Sequence, residues 1–336
     1  MQAANTAPNV GGLRLSRRIP RTQKEAIVDV DEVDRQIVRT LQRDGRTSYS
    51  ALADAVGLAR TSTRARVLRL LDSGKVRIIT VVHPAVFGLE AFAHARIDVG
   101  EPVRRTAEEL ATFGEIRYLA MTAARFAVSA ELLCVDMNEL AQAMDRVRAI
   151  NGVRGARMVS YLRIWKDPYL PPAPLQKIEL DDADRTLLAR LHVNGRAPFA
   201  QLADEAGLSQ GAARSRVLRM LEAGVVHVSA QVRSDTVGHG HLYGFGLVLD
   251  GEADAVARRL VEFDHVRFLA TGIGWCDIVG SLHGESFEEI IDTLEYIRAT
   301  PGVHTVEVWS EVHVFKETYH ETLLQTAVRD AADEAP

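Results

Sequence analysis

The sequence SALADAVGLARTSTRARVLRLLDSG, residues 50–74, decides the fold of this chain. Apolar residues occur at helical spacing before and after a central glycine: Leu52, Ala53, Val56, Val67, Leu70 and Leu71. That glycine, Gly57, can adopt the positive φ that ends a helix. The stretch therefore predicts two short amphipathic helices that cross at Gly57 and share a small core.

The second predicted helix carries a polar and basic face near its exposed N-terminus. That face consists of Arg60, Thr61, Ser62, Arg64 and Arg69. Phosphates attract guanidinium groups and the free amides of a helix N-terminus, and Arg and short hydroxyl side chains can contact base edges in a major groove. The face is typical of a DNA recognition helix. The alternative is an ordinary two-helix corner with a solvated basic face.

The same stretch recurs 150 residues later without a gap. Its counterparts include Asp34 and Asp184, Gly45-Arg46 and Gly195-Arg196, Gly57-Leu58 and Gly207-Leu208, and Gly74 and Gly224. The outward face of the second copy consists of Gln210, Gly211, Arg214, Ser215 and Arg219. We therefore predict two DNA-binding helix-turn-helix units in one chain.

Charge differs between the two copies. Residues 60–77 contain six basic residues against Asp72, a local net charge of +5, whereas residues 210–227 contain three arginines against Glu222, a local net charge of +2. The whole chain carries −5, which argues against indiscriminate binding of nucleic acid. If both copies contact DNA, we expect the first to supply more of the electrostatic attraction.

Composition limits the class of protein. A chain of 336 residues, 47% hydrophobic and 25% charged, is ordinary for a globular protein of two or more domains. It has no apolar run of membrane-spanning length, and residues 1–20 lack the apolar core of a secretory signal, so we expect a cytoplasmic protein. Cys134 and Cys276 have no partner at ligand spacing, which favours buried apolar side chains over a disulfide or a metal site. With no defensible catalytic constellation, the sequence predicts a non-enzyme without a cofactor.

A different pattern follows each helix-turn-helix. Residues 76–82 form a β-rich segment, interpreted as a wing or a connecting strand. Beyond it the order strand, helix, strand, strand, helix, strand covers residues 92–99, 103–113, 116–122, 126–135, 138–150 and 153–165. A βαββαβ order folds as a four-stranded antiparallel sheet with both helices on one face. The second copy can cover the other face, so one chain would do what two identical subunits do elsewhere.

The predicted fold class is α+β, with two tandem copies of a winged helix-turn-helix and a ferredoxin-like βαββαβ domain. The predicted segments are a disordered basic arm (1–29), the first winged helix-turn-helix (30–82), the first βαββαβ domain (88–166), a Pro-rich linker (167–178), the second winged helix-turn-helix (179–232), the second βαββαβ domain (239–316) and an acidic tail (317–336).

The chain resembles the Lrp/AsnC family of feast/famine regulators, in a tandem-repeat (double-Lrp) form. The motifs are Asp-Arg early in the first helix, Asp-Gly-Arg or Asn-Gly-Arg before the second, an Ala-Asp-x-x-Gly-Leu turn, an Arg-Val-Leu-Arg-x-Leu-x-x-Gly recognition helix and the βαββαβ domain. Together and in this order they are specific, and they cover residues 30–166 and 179–319. Arg66 and Arg216 match the first arginine of the recognition motif, and we expect them to hold each unit together through a local ion pair.

The resemblance implies a sequence-specific transcriptional regulator that binds double-stranded DNA and is associated with the nucleoid. In this family the βαββαβ domain, called RAM, mediates dimer and higher assembly and binds amino acids or related metabolites. One chain would then equal one pseudo-dimer, and such chains would form homo-oligomers. The predicted partners are therefore DNA, a small-molecule effector and further copies of the chain, with no membrane.

The family's effector site lies around the loop between the second and third RAM strands, where a Gly and a nearby Asp follow a Thr or Ser. Residues 271–277, TGIGWCD, fit this pattern, whereas residues 122–127, TAARFA, contain neither Gly nor Asp. An amino acid presents an ammonium group for a carboxylate and a carboxylate for backbone amides. The predicted effector-binding residues are therefore Thr271, Gly272, Gly274 and Asp277. The alternative is that the glycines shape a hairpin and Asp277 caps it.

Two other functions fit parts of the sequence. Siroheme decarboxylases resemble this architecture and can be tandem fusions, but their His-x-Tyr-Asn-Leu-Trp type stretch is absent from residues 122–132 and 272–282. An architectural DNA-binding protein without a ligand would also carry a basic arm and a basic helix. It would differ from a regulator in lacking a large preference for specific over random DNA.

Overall fold

The computed structural model describes residues 30–100, 102–170, 175–232, 241–284 and 286–318. The predicted basic arm, residues 171–174 of the predicted linker and the predicted acidic tail from residue 319 onward lie outside these ranges. Within them the two repeats have the same order of α-helices and β-strands, which confirms the predicted tandem α+β architecture.

Each repeat contains a three-helix unit, a strand and a βαββαβ unit. The first repeat consists of α1 (Glu32–Arg43), α2 (Tyr49–Val56), α3 (Arg60–Asp72), β1 (Val76–Val82), β2 (Ala91–Val99), α4 (Val103–Leu110), β3 (Ile116–Ala123), β4 (Val128–Cys134), α5 (Met137–Ala149) and β5 (Val153–Lys166). The second repeat consists of α6 (Asp182–Val193), α7 (Phe199–Glu205), α8 (Gln210–Glu222), β6 (Val226–Val232), β7 (His241–Leu249), α9 (Ala253–Leu260), β8 (Val266–Gly274), β9 (Ile278–Gly284), α10 (Phe287–Ala299) and β10 (Val303–Glu317).

The first two helices of the first helix-turn-helix, α1 and α2, begin at side chains that cap them. The carboxylate of Asp31 accepts a hydrogen bond from the main-chain N–H of Asp34 at 2.8 Å, and the two residues form a capping box at the start of α1. The Ser48 hydroxyl accepts a hydrogen bond from the Ala51 N–H at 3.1 Å and so caps α2. α2 ends at Gly57, whose φ of 68° lies in the left-handed region that favours glycine. The predicted turn between α2 and α3 is therefore confirmed.

The strand that follows each helix-turn-helix pairs with its counterpart in the other repeat. β1 and β6 form a two-stranded antiparallel sheet in which Ile79 lies opposite Ser229, its counterpart 150 residues later. This register places a pseudo-twofold axis between Ile79 and Ser229. Of the two interpretations of residues 76–82, the structure supports a connecting strand, because the strand joins two repeats instead of folding back onto its own unit.

The two βαββαβ units close into one eight-stranded barrel. The strand order is β3-β4-β2-β5 in the first unit and β8-β9-β7-β10 in the second, and the pairs β5–β8 and β10–β3 join the two sheets. The register is again symmetric, since Ser160 pairs with Ile273 and its counterpart Ser310 pairs with Ala123. Each repeat thus supplies the cover that the other repeat's sheet needs, as the sequence predicted.

The strands carry apolar side chains on the outer face of the barrel and a mixture of apolar and polar side chains on the inner face. On β2, Ala93, Ala95 and Ile97 belong to the core that includes Leu110 of α4 and Leu140 of α5. The intervening residues, His94 and Arg96, face the inside of the barrel, where both contact the Trp309 ring. The interior of the barrel is therefore partly polar, although both side chains are buried.

Cys134 and Cys276 are buried and unbridged, which confirms the prediction that they pack as small side chains.

In the part of the chain that the structure describes, every helix is too short or too polar to cross a bilayer.

Candidate nucleic-acid interface and effector site

The structure brings the predicted DNA-contacting residues of each repeat onto one exposed helix face. Arg60, Thr61, Ser62, Arg64 and Arg69 are exposed on α3, and Gln210, Gly211, Arg214, Ser215 and Arg219 are exposed on α8. Ala59, which precedes α3, offers no capping side chain, so the first-turn amides of α3 keep their hydrogen-bonding capacity. In α8 the Ser209 hydroxyl accepts a hydrogen bond from the Ala212 N–H at 3.2 Å.

A buried carboxylate fixes two arginines on each recognition helix. Asp34 is fully buried, and its two oxygens pair with Arg66, at 3.0 Å, and with Arg69. Arg66 also reaches Asp31 at 2.7 Å. The second repeat has the same arrangement around Asp184, with Arg216 at 3.0 Å and Arg219 as its second partner.

These ion pairs confirm the predicted structural role of Arg66 and Arg216. They give Arg69 and Arg219 the same kind of role, which the sequence analysis did not foresee. The side chains of Arg69 and Arg219 are still 45% and 46% exposed, so each can hold its carboxylate and present its outer edge to a phosphate. The hydrogen bond from the Asp34 N–H, followed by that from Arg66, lowers the pKa of Asp31 below its usual range.

The positive charge that remains for DNA is unequal in the two repeats. Among the described residues, no carboxylate pairs with Arg60 or Arg64 of α3, or with Arg77 of β1. On α8, Arg214 is the one arginine that pairs with no carboxylate of the described residues. The difference in charge read from the sequence thus persists after the internal ion pairs are taken into account.

Two further arginines, which the sequence analysis treated only as part of the repeat, fix the two helix-turn-helix units to each other. Arg46 and Arg196 each donate hydrogen bonds to main-chain carbonyls of the other repeat. In the sequence, these two arginines are marked by their recurrence beside Gly45 and Gly195. The sequence does not show that their hydrogen bonds reach the other repeat.

The four predicted effector residues lie together at the end of β8 and in the turn to β9. The Gly272 N–H donates to the Asp277 carbonyl at 2.9 Å, which closes the turn. Thr271 is buried, and its hydroxyl lies 3.3 Å from Nε1 of Trp165. One carboxylate oxygen of Asp277 accepts a hydrogen bond from the Leu249 N–H at 2.8 Å.

Both glycines have a packing role in this position. A Cβ on Gly272 would lie 2.3 Å from the Ser160 carbonyl oxygen, and a Cβ on Gly274 would lie 2.2 Å from the Met158 carbonyl oxygen. Glycine is therefore what allows β8 to approach β5 and close the barrel. This supports the interpretation that the glycines shape the strand pair, and it leaves an effector role as a prediction.

A family model of the AsnC-type helix-turn-helix domain matches residues 30–71 and 180–221. An uncharacterised HTH-type transcriptional regulator of Pyrococcus horikoshii is 32% identical over 140 residues, which are 40% of this chain and 86% of that protein. The chain belongs to the Lrp/AsnC family of transcriptional regulators.

Another relative of this Lrp/AsnC regulator is the HTH-type transcriptional regulator LrpA of Mycobacterium tuberculosis. It is 36% identical over 130 residues, which are 38% of this chain and 86% of LrpA. Each such relative matches about one repeat, so the tandem chain has the length of two of them. We therefore assign this Lrp/AsnC protein as a DNA-binding regulator.

Solved structures match the whole tandem arrangement. The siroheme decarboxylase NirDL is 16% identical to this Lrp/AsnC chain, with a TM-score of 0.59 over 90% of this chain and all of that one. A second structure of NirDL, in complex with an iron-uroporphyrin III analogue, gives a TM-score of 0.58 at 15% identity. At this identity the likeness establishes the shared fold alone.

Proposed function

We propose that this Lrp/AsnC protein binds specific operator DNA through both recognition helices, and that a small metabolite bound at its RAM domains modulates the binding. The observation that carries the DNA part is the exposed basic face of α3, where Arg60 and Arg64 stand outside the ion pairs of the described residues. A regulator of this kind acts where the chromosome lies, so a cytoplasmic, nucleoid-associated location belongs to the proposal.

The two recognition helices enter successive major grooves on one side of the duplex, about 34 Å apart. The symmetric register of β1 and β6 supports this arrangement, because it relates the two helix-turn-helix units by a pseudo-twofold axis. The operator half-sites need not form a perfect palindrome, since the first-turn residues differ: Arg60, Thr61 and Ser62 in α3 correspond to Gln210, Gly211 and Ala212 in α8.

Assembly of several chains fits the distribution of exposed apolar side chains. Leu162 and its counterpart Val312 are 70% and 57% exposed, and Met137 and its counterpart Phe287 are 52% and 57% exposed. Each apolar surface thus occurs twice, once for each half of the barrel. Paired surfaces of this kind suit contacts with further copies of the chain. An effector that favours one assembly over another would change the affinity for DNA.

Replacement of Arg64 by Ala tests the DNA assignment, with Arg105 as the matched control. Arg105 is an exposed arginine of α4, away from the recognition helices. We expect Arg64→Ala to weaken operator binding by about tenfold or more and to lower the dependence of binding on salt by about one ion, whereas Arg105→Ala changes neither. Equal effects of the two replacements would contradict the assignment of α3 as a recognition helix.

A salt series with operator and random DNA separates a regulator from an architectural protein. A regulator binds its operator roughly 1,000 times or more as tightly as random DNA across the salt series, whereas an architectural protein does not. The operator itself comes from genome-wide mapping of bound DNA with and without candidate amino acids.

A siroheme-decarboxylase-like enzyme is the second candidate, because the fold of NirDL matches 90% of this chain. The exposed basic residues of α3 favour the regulator, because they suit contacts with the phosphates of a duplex. Incubation of the purified chain with siroheme and analysis of its carboxyl groups decides between the two. Decarboxylation without operator binding would replace the proposed function.

A further inference from the structure

The inside of the barrel contains a cluster of buried hydrogen-bond donors that neither the DNA interface nor the predicted effector residues use. Arg96 projects from β2, Arg157 from β5, and Trp275 from the turn between β8 and β9. Four of their N–H groups are buried without an acceptor among the described residues: Nε and Nη2 of Arg96, Nε of Arg157 and Nε1 of Trp275. Because folded proteins pair nearly all such groups, four together in one place indicate a missing acceptor.

Arg96 is the deepest member of this cluster. Its side chain is 0% exposed, its guanidinium carbon lies 3.9 Å from the centre of the Trp309 ring, and Nη1 reaches Glu307 at 3.3 Å. Burial lowers the pKa of Arg96 to about 10, so the group stays charged at neutral pH. Nε and Nη2 form the edge of a guanidinium that binds a carboxylate through two parallel hydrogen bonds. In Arg96 this edge is the one without an acceptor.

The charges of the cluster do not balance. Arg96 and Arg157 share one carboxylate, Glu307, which pairs with both. Glu311 lies near Arg96, but its carboxylate accepts a hydrogen bond from the Tyr118 hydroxyl, and burial raises its pKa to about 7. The two arginines therefore share one paired carboxylate, and the second carboxyl nearby has a pKa raised by burial, which disfavours its charged form. An incoming anion would complete this balance.

The cluster reaches the surface beside Arg157. The Arg157 side chain is 34% exposed, and its guanidinium lies 4.2 Å from the centre of the Phe126 ring and 4.4 Å from that of Trp275. Phe126 lies between β3 and β4, and Trp275 occupies the corresponding turn of the other repeat. Both rings are half-buried, so the exposed part of Arg157 lies between two turns, one from each repeat.

The second repeat makes room for the two indole rings. The counterparts of His94 and Arg96 on β7 are Gly244 and Gly246. A Cβ on Gly244 would lie 2.1 Å from the Trp309 ring, and one on Gly246 would lie 2.2 Å from the Trp275 ring. The two repeats thus differ in a complementary way. The first repeat provides Arg96 and Arg157, and the second repeat provides small residues that leave space for the aromatic rings around Arg96.

We propose that Arg96 and Arg157 bind the carboxylate of a small metabolite inside the barrel, with Nε and Nη2 of Arg96 as the bidentate donors and Trp275 as a third donor. The regulatory consequence rests on the proposed function, in which an effector at the RAM domains modulates DNA binding. The carboxylate site itself does not depend on DNA. It borders the turn that carries Asp277, so it adds an anion subsite to the effector residues predicted from the sequence.

The test uses the full chain without DNA and two probes of similar shape, acetate and acetamide, in a fixed background of sodium chloride. Binding is followed by calorimetry and by tryptophan fluorescence, since two of the three tryptophans lie in the cluster. We expect a saturable signal with acetate and binding at least about tenfold weaker with acetamide, because charge-assisted bidentate bonds are lost. Equal binding of the two probes, or none by acetate, would overturn the proposal.

Variants locate the site. Arg96 is fully buried, so its replacement risks unfolding the chain, and Arg157→Gln is the test variant instead. A second variant, Trp275→Phe, removes one hydrogen-bond donor and keeps an aromatic ring. Arg163→Gln is the matched control, because Arg163 lies on the same strand, is 58% exposed and stacks on Trp165. We expect Arg157→Gln to weaken acetate binding by about tenfold and Trp275→Phe by a few-fold, with Arg163→Gln unchanged. The same loss in Arg163→Gln, or no loss in Arg157→Gln, would overturn the site.

Two further measurements separate this site from the proposed function. Binding of inorganic phosphate without binding of acetate would contradict the carboxylate class. Acetate binding that leaves operator affinity unchanged would confirm the site and contradict effector regulation through it. Loss of operator binding in Arg64→Ala with acetate binding intact would confirm that the two sites are separate.

Discussion

Arg46 and Arg196, counterparts 150 residues apart, bind each other's repeat in a reciprocal manner. Arg46 donates to the carbonyls of Gly195, at 2.6 Å, and Ala197, at 3.0 Å. Arg196 donates to those of Gly45, at 2.7 Å, and Thr47, at 2.9 Å. Each guanidinium also lies over an aromatic ring of the opposite repeat, Phe199 at 4.8 Å and Tyr49 at 5.1 Å. Together with the β1–β6 sheet, these contacts fix the two DNA-reading units relative to each other.

Arg46→Ala and Arg196→Ala should each destabilise the chain by about 1–3 kcal/mol, because each leaves two main-chain carbonyls without a donor and removes a ring contact. Lys at either position should recover little, since one ammonium cannot reproduce a planar fork that binds two carbonyls. Urea unfolding measures the change. Arg43→Ala is the control, because Arg43 is exposed at the end of α1, and an equal loss there would show that the reciprocal contacts contribute nothing special.

Asp34→Asn should destabilise the first helix-turn-helix by about 2–3 kcal/mol. The replacement keeps the shape of the side chain but leaves Arg66 and Arg69 facing a neutral, fully buried group. This loss of stability is smaller than the loss expected from breaking a fully buried ion pair, because both arginines are partly exposed. Asp184→Asn should reproduce the loss in the second repeat.

Urea unfolding again provides the measurement for this pair, with Asp54→Asn as the control. Asp54 is an exposed carboxylate of α2. If Asp34→Asn is no more destabilising than Asp54→Asn, the buried carboxylate does not organise the recognition helix.

The parts of the fold that the sequence predicted are those set by local chemistry. Helical spacing of apolar residues and the turn glycines Gly57 and Gly207, both of positive φ, predict the helix-turn-helix in both repeats. The period of two along residues 92–99 predicts β2. Helix ends differed from the prediction by a few residues, for example at α4, which ends at Leu110 instead of residue 113.

The parts that the sequence did not predict depend on contacts between the repeats. The β1–β6 pairing and the closure of the barrel through β5–β8 and β10–β3 join strand edges that are distant in the sequence. Strand pattern determines which face of a strand is buried, but it does not identify the neighbour at its edge. For the same reason the polar cluster around Arg96 was missed, because its members come from both repeats and from five separate segments of the chain.

Gly272→Ala should destabilise the chain by about 1–3 kcal/mol, because its Cβ would lie 2.3 Å from the Ser160 carbonyl oxygen and would force β8 away from β5. Gly211→Ala is the matched control. A Cβ on Gly211 meets no atom within 4 Å, and Ala is favoured over Gly in a helix, so this change should stabilise the chain by up to about 1 kcal/mol. Thermal unfolding distinguishes the two, and equal effects would contradict the close approach of β8 to β5.

Glu311 has a half-buried carboxyl whose pKa departs from its ordinary value. Burial raises its pKa to about 7 from an ordinary value of 4.5, while the hydrogen bond from Tyr118 acts in the opposite direction. A folded-state pKa above the unfolded one means that the folded chain binds more protons between these two values. The contribution of Glu311 to the free energy of unfolding is therefore fully present below pH 4.5. It is lost as the pH rises towards about 7, and it changes no further above that pH.

Glu311→Gln should remove this fall, because Gln keeps the shape and the acceptor for Tyr118 but cannot ionise. We expect the wild-type chain to lose about 1–2 kcal/mol relative to Glu311→Gln across this interval, less than the full shift implies because the side chain is only half-buried. Urea unfolding of both proteins at several pH values between pH 4.5 and about 7 measures the difference. Glu288→Gln, an exposed position on α10, is the control and should follow the wild type. Parallel stability curves for Glu311→Gln and the wild type would show that Glu311 titrates as an ordinary exposed carboxylate. The charge balance proposed for the interior of the barrel would then have to count Glu311 as a full negative charge.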